Sequence, residues 1–247
     1  MTTRPPAYPW RVGGITEWEP EAEDWVRWAR KPGHDAYWYY RTAFFDLLPP
    51  PGTRTIELGC GEGRVARDLA ERGHHVVGAD TARTLVRYAR DADPAGSYVL
   101  ADGAAVPCAS AAFDLVVTYN SLQVVADMPG LVYEAARLLR PGGHLCLTVS
   151  HPAMDLGRFV PTASGVVFAV RPAYFESRRV DDPIEMDGLT VTCHGWTYTL
   201  EDYVTAFESA GLAVEAMREP KPIAPPANLE RWQTVPLFLM ARLVKMR

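Results

Sequence analysis

Between Arg54 and Ser150 the chain switches repeatedly between short apolar runs and stretches of helical period, and this alternation restricts its fold more than any other feature. The runs predict strands near Arg54–Gly59, His75–Asp80, Ser97–Asp102, Phe113–Tyr119 and His144–Ser150. Between them, helices are expected near Arg64–Arg72, Thr84–Asp91 and Leu131–Leu139, the last stopped by Pro-Gly-Gly in "RLLRPGGHLCLTV". Strands and helices in this order build an α/β fold, a doubly wound and mostly parallel sheet. Further on, "TLEDYVTAFESAGL" predicts a helix with Thr199 at its N-cap and Gly211 as its stop. Two more strands follow near Ala213–Arg218 and Val235–Val244, joined by the proline-rich "EPKPIAPP", which is placed over the rim of the sheet.

Two segments depart from the alternation. Residues 151–196, rich in Pro, Gly and aromatics, read as an insertion after the fifth strand. Residues 1–53 include "EWEPEAEDWVRWARKPGHDAYWYYRTAFFDLLPP", a helical arm dense in Trp and Tyr that either packs its rings on the core or covers a ligand site as a lid. The expected organisation is one domain: arm 1–53, catalytic core 54–247, insertion 151–196.

The formal net charge is -5 and the chain has no long Lys/Arg run, so nothing draws it to nucleic acid. Its apolar runs are too short for a membrane span, and "MTTRPPAYPWRVGG" lacks the apolar core of a secretory signal, so a cytoplasmic location is expected. Cys60, Cys108, Cys146 and Cys193 are widely spaced, which reads as reduced thiols with no metal site.

"ELGCGEG" follows the first strand, at the end of the sheet where such folds take ligands. Gly59, Gly61 and Gly63 permit turn conformations closed to other residues and let a ligand lie against the backbone. A dinucleotide would need a third glycine where Arg64 stands, and Glu57 would repel its pyrophosphate. An NAD(P)-dependent oxidoreductase is therefore the disfavoured alternative. S-adenosylmethionine carries an ammonium and a sulfonium and suits a carboxylate at that strand end. Asp80 ends the second strand, where a carboxylate can accept both ribose hydroxyls, and Asp102 ends the third, within reach of an adenine amino group.

With "ELGCGEGR", "VVGAD", "YVLADGAAVPCASAAFDLVV" and "RLLRPGGHLCL" in order over residues 54–150, the chain resembles the class I S-adenosylmethionine-dependent methyltransferases. The resemblance implies a Rossmann-like sheet of seven strands with the last antiparallel, and S-adenosyl-L-homocysteine as product. It implies that Glu57, Gly59, Cys60 and Gly61 contact the methionine part, Asp80 the ribose, and Asp102, Gly103 and Ala104 the adenine, with Thr81 also among the cofactor-binding residues. Asn120 and Ser121 would lie beside the sulfonium. "YNSL" after the fourth strand lacks the Asn/Asp-Pro-Pro-aromatic motif of nucleic-acid amino methyltransferases, so the resemblance is to the branch acting on metabolites and natural products, antibiotics included. Oxygen or nitrogen is the expected acceptor atom, with sulfur or carbon open.

An acceptor hydroxyl or amine needs a base, and His151, after the fifth strand, is the candidate, its alternative role being a loop cap before Pro152. Tyr39, Tyr40, Phe159, Tyr174, Phe175, His194 and Trp196 are the candidate acceptor-pocket residues, drawn from the arm and the insertion; any of them can be core instead. A monomer or homodimer is expected. A protein of this fold that holds the cofactor without methylating is the remaining alternative.

Overall fold

The computed structural model describes residues 18–246 apart from 164, 171–173 and 226, with 227–229 as backbone alone, so the first 17 residues of the expected arm lie outside it. The arm is two helices, α1 (Trp18–Arg30) and α2 (Tyr37–Leu47). The core then alternates β1 (Thr55–Leu58), α3 (Arg64–Glu71), β2 (Val76–Asp80), α4 (Arg83–Ala92), β3 (Ser97–Leu100), β4 (Phe113–Tyr119), α5 (Met128–Leu138) and β5 (Leu139–Ser150).

The segment read as an insertion follows β5. A single turn, α6 (Pro152–Asp155), leads into two antiparallel hairpins, β6 (Gly157–Thr162) with β7 (Gly165–Val170) and β8 (Arg179–Met186) with β9 (Leu189–Trp196). Most positions of β6 to β8 are partly or fully exposed, so they lack the one-sided apolar alternation that marks a strand in sequence. The overlooked signal was Asp187-Gly188: both have positive φ, the signature of a two-residue hairpin turn. The chain ends with α7 (Leu200–Ser209), β10 (Leu212–Arg218) and β11 (Phe238–Lys245). A reciprocal capping box between Thr199 and Asp202 starts α7.

Seven strands form the main sheet in the order β10-β11-β5-β4-β1-β2-β3, parallel except for β11, which runs antiparallel to both β5 and β10. Buried Leu131, Val132 and Ala135 of α5 and Tyr203 and Phe207 of α7 share one core with Val116, Leu145 and Leu147. On the opposite face, Tyr40 and Phe44 of α2 and Leu69 of α3 pack with Leu115, Val117 and Met240. The order of strands reverses between β1 and β4, so the crevice for a ligand opens at their C-terminal ends. In the 219–237 connection the Ile223 N–H donates to the Tyr39 carbonyl of α2 at 2.9 Å. Among the described residues no helix is long and apolar enough to cross a membrane, and no three His, Cys, Asp or Glu side chains are grouped to hold a metal.

Candidate active site

β1 leaves the sheet into the glycine turn, where the Gly59 and Cys60 N–H groups both donate to the Ala79 carbonyl of β2, at 2.8 and 3.0 Å. Gly59 has φ +75°, and a Cβ there would come within 2.7 Å of the Ser121 Cβ, so both the conformation and the space exclude a side chain. Gly61, at φ +55°, is left-handed as well, but a Cβ there would meet only Trp25 Nε1, at 3.8 Å. Its bare backbone is used differently: the Gly61 N–H donates to Asp80 Oδ2 at 2.8 Å, while the Ala82 N–H donates to Asp80 Oδ1 at 2.8 Å. Asp80 is thereby locked at the end of β2, and a ribose would share oxygens that already take one backbone bond each. Burial nonetheless pushes its carboxyl above the ordinary range.

Glu57 lies buried in β1, and its Oε2 has no hydrogen-bond partner. Burial first, and the nearby Asp80 charge second, hold its carboxyl well above the usual carboxylate range. A half-satisfied buried carboxylate is costly on its own and is ready to ionise when a cation arrives. Cys60, also buried, donates weakly to the Gly61 carbonyl at 3.7 Å, and burial pushes its thiol well up, so it serves as packing rather than as a nucleophile.

At the end of β4, Asn120 takes a left-handed φ of +56°. Its N–H donates to the Thr148 carbonyl at 2.8 Å and its buried Oδ1 has no partner. Strained residues with idle polar atoms gather where ligands bind. Beyond β3, Asp102 Oδ1 accepts the Ala104 N–H at 2.9 Å, and a Cβ on Gly103 would strike Leu131 Cδ1 at 2.6 Å. Thr81, next to Asp80, is exposed. The fold thus brings Glu57, Gly59, Cys60, Gly61, Asp80, Asn120 and Ser121 to the ends of three adjacent strands, with Asp102, Gly103 and Ala104 following β3 at the same edge.

α1 of the arm packs beside this edge. Ala22 and Val26 of α1 pack on Ala82 and Leu85, and the Thr84 hydroxyl donates to Glu19 at 2.7 Å. Arg64, the first residue of α3, is ion-paired to Asp35 and lies over the rings of Tyr37 and Trp25, at 4.4 and 5.4 Å from their centroids. Toward the insertion, Glu21 accepts the Thr192 N–H at 3.3 Å, and Lys31 and His34 meet Asp187 at 3.2 and 2.9 Å. Trp25, Asp35 and the anchoring role of Arg64 carry no local signal in the sequence, because they act through partners distant along the chain.

The candidate acceptor residues do not form one wall. Tyr40 is fully buried with its ring 4.9 Å from that of Phe238 and its hydroxyl unpartnered, and Tyr39 donates to the Gly33 carbonyl at 3.1 Å. Phe159 packs edge-on against Phe168 in the first hairpin, and Phe175 is 88% exposed. His194 meets Asp181 at 2.6 Å and Trp18 in a T-shaped pair, beneath α1, and half-buried Trp196 ends β9. His151 caps α6: the Ala153 N–H donates to Nδ1 at 2.9 Å. That bond assigns the ring proton to Nε2, which donates to Glu219 Oε1 at 2.8 Å. Tyr174 lines a cavity of about 10 Å³ with Pro152, Asp155, Leu156, Thr197 and Tyr198. Burial lifts the Asp155 carboxyl to about 7, with Arg178 opposing. Apart from Tyr174, these cavity residues had no distinguishing pattern in the sequence.

A seven-stranded sheet with one antiparallel strand, a glycine turn at its reversal point and a strand-end carboxylate tied to that turn define a nucleoside-binding methyltransferase fold. The comparisons agree: residues 56–147 match the methyltransferase domain family. The chain is similar to a malonyl-[acyl-carrier protein] O-methyltransferase of Enterobacter lignolyticus, at 38% identity over 95 residues, 38% of each chain. It is also similar to the nocamycin O-methyltransferase of Saccharothrix syringae, at 37% identity over 139 residues, 51% of this chain and 50% of the relative. The chain thus spans two fifths to half the length of these curated relatives. A crystal structure of an S-adenosylmethionine-dependent methyltransferase from Mesorhizobium loti superposes with a TM-score of 0.67 at 25% identity, covering 85% of this chain and 98% of that one. Residues 56–147 thus carry a methyltransferase domain, set in a fold shared with S-adenosylmethionine-dependent methyltransferases, and that domain and fold imply S-adenosylmethionine as the cofactor.

Proposed function

We propose that the protein methylates an oxygen atom of a small-molecule acceptor held between the arm and the insertion. The observation that carries this reading is the contact between the arm and the insertion beside the glycine turn. Glu21 of α1 and Lys31 and His34 just after it are tied to Thr192 and Asp187 of the β8–β9 hairpin, an arrangement that suits a small acceptor better than a polymer. Oxygen, ahead of nitrogen, is supported by the names of the two curated relatives, and one of them supports a natural-product acceptor.

The residues present fit the cofactor. Glu57, buried with an idle oxygen, would hold its ammonium, and the bare backbone at Gly59 and Gly61 would let the methionine part lie close. Asp80 would take the ribose, Asp102 with Gly103 and Ala104 the adenine, and Asn120 and Ser121 would border the reacting centre. When bound, the cofactor supplies an electrophilic methyl group. The chain aligns the acceptor behind that carbon and excludes water, which is the function assigned here to the arm.

Calorimetry with S-adenosylmethionine and with NAD tests the cofactor side, and transfer of labelled methyl from S-adenosylmethionine to panels of phenols, carboxylic acids and amines tests the acceptor side. Binding of the first ligand alone and labelled ethers or esters are expected. Labelled amines in their place would move the reading to nitrogen, and NAD binding alone would overturn it.

A further inference from the structure

We propose that Asp155 takes the proton from the acceptor as it is methylated, working from the small cavity beside the end of β5. The proposal rests on the methyltransferase reading above and names the group that serves it as base.

The cavity lies past the C-terminal end of β5, the strand next to β4, and the segment that follows β4 joins it to the cofactor edge. Ser121 Oγ donates to the Gly59 carbonyl at 3.4 Å. The segment that Ser121 begins runs to Val125 and Ala126, whose carbonyls accept the Tyr198 hydroxyl at 2.9 and 3.3 Å. Tyr198 and Asp155 then line the cavity together. Its volume of about 10 Å³ is room for one water or one hydroxyl oxygen. Asp155 lies one helical turn past the C-terminal end of β5, and its N–H donates to the His151 carbonyl at 3.4 Å.

His151, the other titratable group at this strand end, has both nitrogens engaged, by Ala153 and by Glu219, and presents no free lone pair. Arg178, from the segment before β8, donates to the Asp155 backbone carbonyl at 3.1 Å and its charge favours the ionised carboxyl. The Asp155 charge acts on Tyr203 of α7, and Tyr198 lines the same cavity; both are neutral phenols, their own ionisation suppressed first by burial. The apolar surroundings lift the carboxyl to about 7, so it is a stronger base than an exposed aspartate and still ionised in good part at neutral pH.

The step balances. An acceptor oxygen lone pair forms the new bond to the methyl carbon, and the carbon–sulfur pair returns to sulfur, leaving a neutral thioether. With a hydroxyl acceptor, which carries a proton where an ionised carboxylic acid has none, that proton passes to the Asp155 carboxylate, which later releases it to solvent.

Carbon-13 carboxyl resonances of the full chain labelled at aspartate, with the Asp155 signal assigned from its loss in D155N, test the placement without any acceptor. Titrations compare the complex with S-adenosylhomocysteine, whose sulfur is neutral, and the complex with sinefungin, which sets an ammonium where the methyl would be. A base beside the reacting centre feels that charge, so the Asp155 midpoint is expected near neutrality with the first ligand and about one pH unit lower with the second. Identical midpoints in the two complexes overturn the proposal. Binding of neither ligand by calorimetry removes the methyltransferase reading itself, whatever Asp155 does. D155N is further expected to bind both ligands as wild type does while losing about 100-fold or more in transfer; wild-type turnover in D155N overturns the proposal equally.

Discussion

Ser121, the second residue past β4, stands directly against Gly59 at the end of β1, its Cβ 2.7 Å from where a Gly59 Cβ would be. The two strands that meet at the reversal of the sheet are therefore fitted to each other at the atom that glycine lacks. Gly59→Ala would impose both a left-handed alanine and an overlap, a loss of about 2–4 kcal/mol. Urea unfolding reads this loss. The double variant G59A/S121G should recover the overlap part alone, and a wild-type midpoint for G59A would contradict the fit.

The ion pair between Asp35 and Arg64 joins the arm to the first turn of α3, and both side chains are largely buried, with 12% and 15% exposure. Asp35→Ala would leave the Arg64 guanidinium without its carboxylate, a change that costs about 3–5 kcal/mol where the remaining charge stays buried. Because α1 packs on α4 rather than on the main core, the loss should concentrate in the arm. Limited proteolysis should cut between residues 18 and 36 faster in D35A, and S-adenosylmethionine should bind more weakly. Equal cutting rates would detach the arm from this pair.

The sheet was legible because its strands are buried on both faces and therefore read as apolar runs: β1 is buried at all four positions and β4 at all seven. The carboxylates at strand ends were legible for the same reason, since Glu57 and Asp80 interrupt those runs. Residues that act through partners distant in sequence were not. Arg64 was visible as a departure from a glycine pattern, but its pairing with Asp35 spans 29 residues and has no local signal. Likewise Asp155 acquires its environment from Tyr174, Thr197 and Tyr198, which are brought to it by the two hairpins. Those hairpins, exposed along most of their length, follow no one-sided alternation.

His151 was expected either to act as a base or to cap a loop, and its geometry separates the two experimentally. Asparagine can accept the Ala153 N–H as Nδ1 does now, but it cannot relay a proton. If the ring serves as a cap, H151N should keep near wild-type turnover while H151A loses about 1 kcal/mol of stability and part of its rate. Equal and large losses of turnover in both variants, with unchanged cofactor affinity, would return the catalytic role to the imidazole.

Asp155 also carries a signature in stability. Its carboxyl titrates at about 7 in the folded chain and near 4 in the unfolded one, so folding favours the protonated form. The stability this contributes is fully present below pH 4 and is lost as the pH rises through 7. D155N has no proton to lose and escapes that decline, so the stability of D155N relative to wild type should climb between pH 4 and 7 and level off above 8. The climb is on the order of 3 kcal/mol. Glu57 and Asp80, whose carboxyls are also raised by burial, push stability in the same direction, but both remain in the two proteins and cancel in the difference. Urea unfolding at pH 5, 6, 7 and 8 measures it, and a flat difference across that range would mean that Asp155 is ionised throughout and too well solvated to serve as the base.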